Sequence, residues 1–379
     1  MKKTIYKYIF SEFLRYFSIT LFALAVIVWT IQAVNYLDLV LEDGHAFAIY
    51  FLYSFLTISK VLTKLIPFSF LIATMMTILK FEKDNELMVL WTSGLNKIHI
   101  VNLFFRISLL VMLLQLIFTN LINPTMLNYS RSVLKNSELQ FIPSLLKEKQ
   151  FNDTVEDLTI FVSEKDENGI YKDIFIRDDG KILSGVGGAA NKSISSTILA
   201  KSGYISENDK NLILLDGSIQ RLEGDGNLNI FNFHKLSLNL LGISTKSISL
   251  PKIQETSTLK ILLCLKTKNI NILNCKLDKK SLMDLKIEFN KRFGMPTYIP
   301  LIALICSFLL ISRKDSKIHI YKKYVYFVIG FTILITGEII VRYSGTSWTH
   351  TGIYYLLPFL ISPSVYILLN RTFKYENLS

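Results

Sequence analysis

Apolar residues run in long blocks at the two ends of this chain and disappear from its middle. A helix crossing a bilayer needs about 20 mostly apolar residues. Residues 13–37 and 100–122 meet that length, the second closed by Asn123-Pro124. Residues 46–79 are too long for one straight span and contain Lys60, Lys64 and Pro67. The pattern predicts a span at about 61–79, with 47–59 as an interfacial or tilted helical lead-in. Apolar continuity then stops for about 170 residues and resumes at 296–311, 324–341 and 353–369. Six spans are predicted, three on each side of a polar insert. The first follows a basic start (Lys2, Lys3, Lys7, Arg15), is too long for a signal peptide and lacks a small-residue cleavage site. It is therefore expected to stay as an anchor.

The insert changes period. Residues 158–162, 171–177, 212–215 and 228–240 alternate apolar with polar positions. Glu167-Asn168-Gly169, Asp178-Asp179-Gly180, Asp216-Gly217 and Gly224-Asp225-Gly226 stand between them. Period-two runs punctuated by Asn-Gly and Asp-Gly predict hairpins, and several such strands suggest a sandwich or jelly roll. The Gly-rich stretch 184–190 lacks the Lys-Ser/Thr of a phosphate loop and reads as a turn. Residues 127–149 and 259–290 look helical and join the insert to the flanking spans. The expected fold class is an α-helical polytopic membrane protein of six transmembrane helices with an inserted all-β, jelly-roll-like domain. Its divisions are 1–126, 127–258 and 259–379.

Charge gives the orientation. Short loops rich in Lys and Arg stay in the cytoplasm. Basic residues crowd the N-terminus, the 80–97 loop, the 313–323 loop and the tail with Arg371 and Lys374, whereas the 343–352 loop has none. Both termini are therefore expected in the cytoplasm and the insert on the far, periplasmic side. The net charge is +12, yet residues 130–260 hold 16 Lys and Arg against 17 Asp and Glu. The surplus thus lies beside the apolar segments, which points to anionic lipid rather than nucleic acid.

Little in the chain suggests catalysis. It has no nucleotide-binding loop, no His-Glu-x-x-His and no Gly-x-Ser-x-Gly. His45, His99, His234, His319 and His350 are scattered, with no metal-ligand spacing among them. No catalytic residue, cofactor or metal is expected, and any energy must come from a partner or an ion gradient. Cys306 lies in an apolar run. Cys264 and Cys275 flank a polar stretch on the side where a disulfide is permitted. Without a wider cysteine framework, the spacing favours two unpaired thiols.

Two groups of residues invite function. After the second span, residues 86–91 read as a short helix capped by Asp84 or Asn85 and ended by Gly94. Leu87, Leu90 and Trp91 share one face at helical spacing, and Glu86 opens the helix. Acidic residues are disfavoured at an anionic leaflet, so a partner's groove suits this helix better than a membrane surface. The second group is basic and sits at the outer boundary: Lys60, Lys64, Lys286, Lys291, Arg292 and Arg342. Charges at membrane depth are costly, and Lys and Arg there suit phosphates, though some serve as snorkelling anchors. Glu338 is expected to pair with Arg342 one helical turn on.

The order of these features resembles one family. Tyr8 with Glu12-Phe13-Leu14, then Leu65-Ile66-Pro67, Glu86-Leu87 through Ser93-Gly94-Leu95, and Glu288-Phe289-Asn290-Lys291-Arg292 before Pro296 carry the resemblance, which runs over nearly the whole chain. It is to the LptF/LptG (YjgP/YjgQ) lipopolysaccharide export permeases. Phe161-Val162 and residues 171–176 lean towards the F member. The resemblance implies a permease subunit of an ABC transporter in the bacterial inner membrane. It implies a heterodimer of F with G, an LptB ATPase dimer docked on the short helix, and LptC and LptA as periplasmic components. Lipopolysaccharide would leave the outer leaflet through a cavity between the permeases and pass along the β-domain. Transferred to this chain, Asp84, Glu86, Leu87, Leu90, Trp91 and Gly94 form the coupling helix. Lys64, Lys291, Arg292 and Arg342 would meet lipid A phosphates. The first span has Gln32 and Asn35 at its outer end but no Lys or Arg, which leaves its share of substrate contact open. Two competing readings are a lipid- or lipoprotein-extracting permease of another class, and a membrane scaffold. The former class places one span before its outside domain rather than three, and a scaffold needs no coupling helix.

Overall fold

In the computed structural model the apolar blocks fold as helices and the alternating insert folds as a sheet. The structure describes residues 2–41, 46–136, 146, 148–155, 158–166, 169–179, 193–206, 211–223, 228–239, 252–267, 275, 279–311 and 317–376. The Gly-rich stretch 184–190 and the 224–226 turn lie outside them. Helices α1 (Lys2–Asn35), α2 (Asp38–Leu41), α3 (Phe47–Lys83), α4 (Glu86–Thr92), α5 (Lys97–Ile117) and α6 (Asn123–Asn136) precede the sheet. Helices α7 (Thr258–Thr267), α8 (Lys279–Ser307), α9 (Lys317–Tyr343) and α10 (Trp348–Glu376) follow it. Six helical stretches among the described residues are long and apolar enough to cross a membrane.

The chain divides into two compact units. The first comprises Met1–Ile31, Thr57–Asn128 and Lys252–Ser379, and it is helical. Its centre is α8: 78% of the apolar window of that span is buried, against 11%, 22% and 17% for the spans of α1, α9 and α10. Those three helices turn apolar side chains such as Phe22, Val328 and Phe359 outward. So large an exposed apolar surface requires lipid or another protein around it. Inside, Phe13, Phe70, Leu71, Phe104 and Ile302 build one continuous core. Small residues set the closest approaches. A Cβ on Gly294 of α8 would run into the ring of Tyr354 on α10.

Prolines do not break these helices, contrary to the expectation for one of them. Asn123-Pro124 does not close the third span. The helix passes through a π turn, Phe118–Ile122, straight into α6. The lead-in at 47–59 is helical as expected and runs into the span as one continuous helix through Pro67. A proline leaves the carbonyl four residues back without its helical donor, and neighbouring helices can supply another. Here the Thr63 carbonyl, freed by Pro67, accepts from Gln115 Nε2 at 3.4 Å. The Asn120 carbonyl, freed by Pro124, accepts from the Thr258 hydroxyl at 3.2 Å. The Arg292 carbonyl, freed by Pro296, accepts from the Thr119 hydroxyl at 3.2 Å. The Tyr354 carbonyl, freed by Pro358, accepts from the Tyr298 hydroxyl at 3.0 Å. Each cross-brace fixes a bend to a neighbour. Thr119→Val keeps the shape but orphans a buried carbonyl, so it should cost about 1–3 kcal/mol of stability. A thermal unfolding series in detergent, with Thr119→Ser as the control that keeps the hydroxyl, reads this directly.

The second unit, Gln32–Leu56 with Tyr129–Pro251, carries the sheet. Strands β1 (Phe151–Val155), β2 (Leu158–Lys165), β3 (Ile170–Asp178), β4 (Ser193–Ile205), β5 (Asn211–Glu223) and β6 (Leu228–Asn239) form one antiparallel sheet in sequence order. The inserted all-β domain is thus present as an open sheet rather than a closed one. Alternate residues Ile160, Val162, Ile174, Ile176, Ile198, Leu212, Leu214 and Leu238 bury one face. The sequence pattern marked Asp216-Gly217 as a turn; it lies inside β5, paired on both sides without a break in register. Asp216 takes a left-handed φ of 47°. The register runs unchanged from Leu215–Lys235 to Gly217–Phe233, and a Cβ on Gly217 would strike the Leu199 carbonyl and the Phe233 ring. Asp tolerates the left-handed region, and only glycine fits so close to a neighbouring strand.

Candidate functional site

A cavity of about 360 Å³ opens within the helical unit. Four of its cations come from two helices. Lys60 and Lys64 lie one turn apart on α3, and Lys291 and Arg292 are adjacent on α8. Glu288 of α8 and Glu338 of α9 are the acidic lining residues. One or two turns along the same helices the lining becomes apolar: Pro67 and Phe68 on α3, Met295 on α8, Phe331 and Leu334 on α9. Two contacts fix the levels. Lys291 pairs with Glu338 at the charged end, and the rings of Phe68 and Phe331 meet at 5.5 Å at the other. The cavity is therefore amphipathic along the helix axes, with two more positive than negative side chains at one end.

These cations are not equivalent. Arg292 is 3% exposed and fully engaged. Its Nε donates to Glu288 Oε1 at 3.0 Å, Nη1 to the Thr258 hydroxyl at 2.9 Å, and Nη2 to the Gln254 carbonyl at 3.1 Å. Its planar fork fastens the 253–258 segment to α8. Lys291 and Glu338 pair while still 30% and 39% exposed, so the expected Glu338–Arg342 pair is replaced by one between helices. Lys64 is exposed and Lys60 half-buried, and neither has an ion-pair partner within 4 Å among the described residues. Like charges one helical turn apart repel, so an anion between them would be stabilised. Arg342 is exposed in an adjoining pocket whose wall also includes Glu338 and Ile335. Lys286 is exposed and belongs to neither lining. Sequence reading gave Glu288 no role beyond its place in the motif and missed Gln254 and Thr119, whose contacts are set by tertiary packing.

Cys264 and Cys275 form a disulfide, with Cα atoms 5.7 Å apart, where unpaired thiols were expected. Both are buried with Ile261 and Leu285. Packing of α7 against α8 supplies the proximity that spacing alone could not reveal.

The short helix α4 forms where expected. Gly94 takes φ +81°, its N–H bonds the Trp91 carbonyl at 3.1 Å, and the Leu95 N–H bonds the Leu90 carbonyl at 3.1 Å. That is a Schellman stop with its usual apolar contact. Asn85 stands at the N-cap in a left-handed conformation without a side-chain capping bond, and Asp84 is exposed. Leu87, Leu90 and Trp91 turn inward onto the chain's own core. Met88 and Val89 face out, 60% and 66% exposed. Glu86 accepts a hydrogen bond from the Tyr8 hydroxyl at 3.0 Å, and Lys97 lies over the rings of both Trp91 and Phe373. Close by, Glu12 bonds Lys80 at 2.7 Å and Arg15 at 3.0 Å. The N-terminal Tyr-x-x-x-Glu-Phe pattern thus seats α4 and the end of α3.

Six membrane-length helices, four of which contribute to an amphipathic cavity, with a sheet domain inserted after the third, define a polytopic membrane protein. The family described as "Lipopolysaccharide export system permease LptF/LptG" matches residues 7–370, and this chain belongs to it. The match covers both members without separating F from G. The chain is also 27% identical over 236 residues to an uncharacterized protein of Rickettsia prowazekii (strain Madrid E). That alignment spans 62% of this chain and 62% of the relative. Family and helices together make this a multi-pass protein of the inner membrane.

Proposed function

We propose that this chain is a permease subunit of an ABC transporter that lifts lipopolysaccharide from the outer leaflet of the inner membrane. The observation that carries the reading is the amphipathic cavity, cationic at Lys60, Lys64 and Lys291 and apolar at Phe68, Met295 and Phe331, in a chain of this family. Phosphates of lipid A meet the lysines, and acyl chains lie against the apolar end. Arg342 lies at the margin of this cation group, and Arg292 holds its frame rather than the substrate. Both termini and α4 face the cytoplasm, and the sheet domain faces the periplasm. Energy comes from a separate ATPase, LptB in the family resemblance, seated on α4 with Asp84 and Glu86 at its edge. A homologous permease completes the pair, and the sheet domain passes the lipid to LptC and LptA.

A charge-assisted phosphate contact contributes about 1.5–3 kcal/mol, or roughly 10- to 100-fold in binding. Lys64→Glu should therefore cut photo-crosslinking of lipopolysaccharide at the Phe68 position by about tenfold or more. Its unfolding midpoint should barely move, because Lys64 is exposed. Unchanged crosslinking in a folded Lys64→Glu, Lys291→Glu double variant would overturn the phosphate role.

A further inference from the structure

Among the described residues, Glu338 and Ile335 line both the cation cavity and the Arg342 pocket. The Glu338 carboxylate bonds Lys291, across from α9 to α8. Arg342 lies four residues further along the same helix, and side chains at that spacing are neighbours on a helix surface. Arg342 is exposed and has no ion-pair partner among the described residues. One carboxylate thus stands between two cations, with one occupied and the other waiting. The occupied pair is part-exposed on both sides, so water can solvate either group as it leaves.

We infer that Glu338 is an exchangeable counter-anion: it holds Lys291 while the cavity is empty and moves to Arg342 when a lipid phosphate takes Lys291. This rests on the permease reading above. The charges favour it. With Glu338 on Lys291 and Glu288 on Arg292, the surplus cations of the cavity are Lys60 and Lys64. A phosphate monoester carries between one and two negative charges near neutral pH and can bridge both lysines. It reaches Lys291 as a third partner only if the carboxylate departs. Two anions left side by side would repel, so Arg342 is needed as the receiving group. Glu338 then acts as a specificity gate. A ligand without phosphate does not displace it, whereas a phosphorylated one does. Arg342, in this account, positions Glu338 and does not touch the substrate. The apolar end of the cavity makes a lipid headgroup the source of the phosphate rather than the free ion.

The test is a double-mutant cycle in the full-length chain, purified with whatever permease and ATPase accompany it, and read by lipopolysaccharide binding in nanodiscs. Glu338→Gln removes the competitor and should tighten binding about fivefold, the size of one part-exposed ion pair. Arg342→Gln removes the receiver and should weaken binding about fivefold in the native background but leave it unchanged in the Glu338→Gln background. Equal weakening in both backgrounds would show Arg342 touching the substrate and overturn the exchange. So would a Glu338→Gln variant that binds no tighter. Dephosphorylated lipopolysaccharide should show no Glu338→Gln gain; an equal gain with it overturns the gate. Inorganic phosphate should not compete in a Glu338-dependent way, and if it does the headgroup is not the displacing anion. Failure of the permease reading is separate: Lys64→Glu would then leave lipopolysaccharide binding intact.

Discussion

Arg292→Ala should destabilise the helical unit by about 3–5 kcal/mol, the cost of breaking a buried ion pair from one side. Three guanidinium nitrogens are used, and they reach three different places: a carboxylate on α8 itself, the hydroxyl at the start of α7, and carbonyls of the Ile253–Glu255 turn. Truncation would leave Glu288, with a side chain only 16% exposed, without its ion-pair partner, and would free the two backbone carbonyls. Thr258 would also lose the group that orients it towards the Asn120 carbonyl, so the brace at Pro124 would weaken with it. Arg292→Lys keeps the charge but cannot span three acceptors, and an intermediate loss is expected. Exposed Lys64→Gln and Arg342→Gln should stay within about 0.5 kcal/mol of the native protein. Unfolding midpoints of the four variants in one detergent separate frame from ligand contact. If Arg292→Ala melted like Lys64→Gln and lost only lipopolysaccharide binding, the frame role would be wrong.

The same contrast shows what was legible in the chain before folding. Runs of apolar residues long enough to span a bilayer gave six helices in their places, because solvent alone dictates that signal. The cations that line the cavity were also visible, because a charge beside an apolar run is unusual anywhere. Their division of labour was not. Arg292 and Lys291 are adjacent and chemically alike in sequence, yet one is sealed among acceptors 34 and 38 residues away, and the other faces the cavity. Pro124 misled for a related reason. It is a helix breaker by local rule, but the donor that replaces its lost bond comes from another helix 138 residues distant. In the sheet, β4 was missed because its buried positions include Ser196 and Ala200 beside Ile198, too small and polar to read as an apolar alternation. On α4 the apolar face was identified, but periodicity says only that a face is covered. The chain's own core covers it, and the outward residues are Met88 and Val89.

That inversion determines which substitutions should uncouple the ATPase. Met88→Asp with Val89→Asp places charge on the two most exposed apolar side chains of α4 and should lower ATPase co-purification by about 30- to 1,000-fold, equivalent to the roughly 2–4 kcal/mol of an interface anchor. Neither side chain touches the helical core, so the unfolding midpoint should hold. Leu87→Asp, at a buried position, should instead lower both, and the pair of measurements distinguishes docking from seating. Glu86→Ala removes the carboxylate at the helix start and should also weaken docking without unfolding. Tyr8→Phe keeps its ring against Phe81 but loses the hydroxyl that orients Glu86, and should show a smaller defect in the same direction. Lys97 lies over Trp91 of α4 and Phe373 of α10, so it joins the short helix to the last span. An ATPase that stayed bound and coupled to the Met88→Asp, Val89→Asp, Glu86→Ala triple variant would remove α4 from the docking surface.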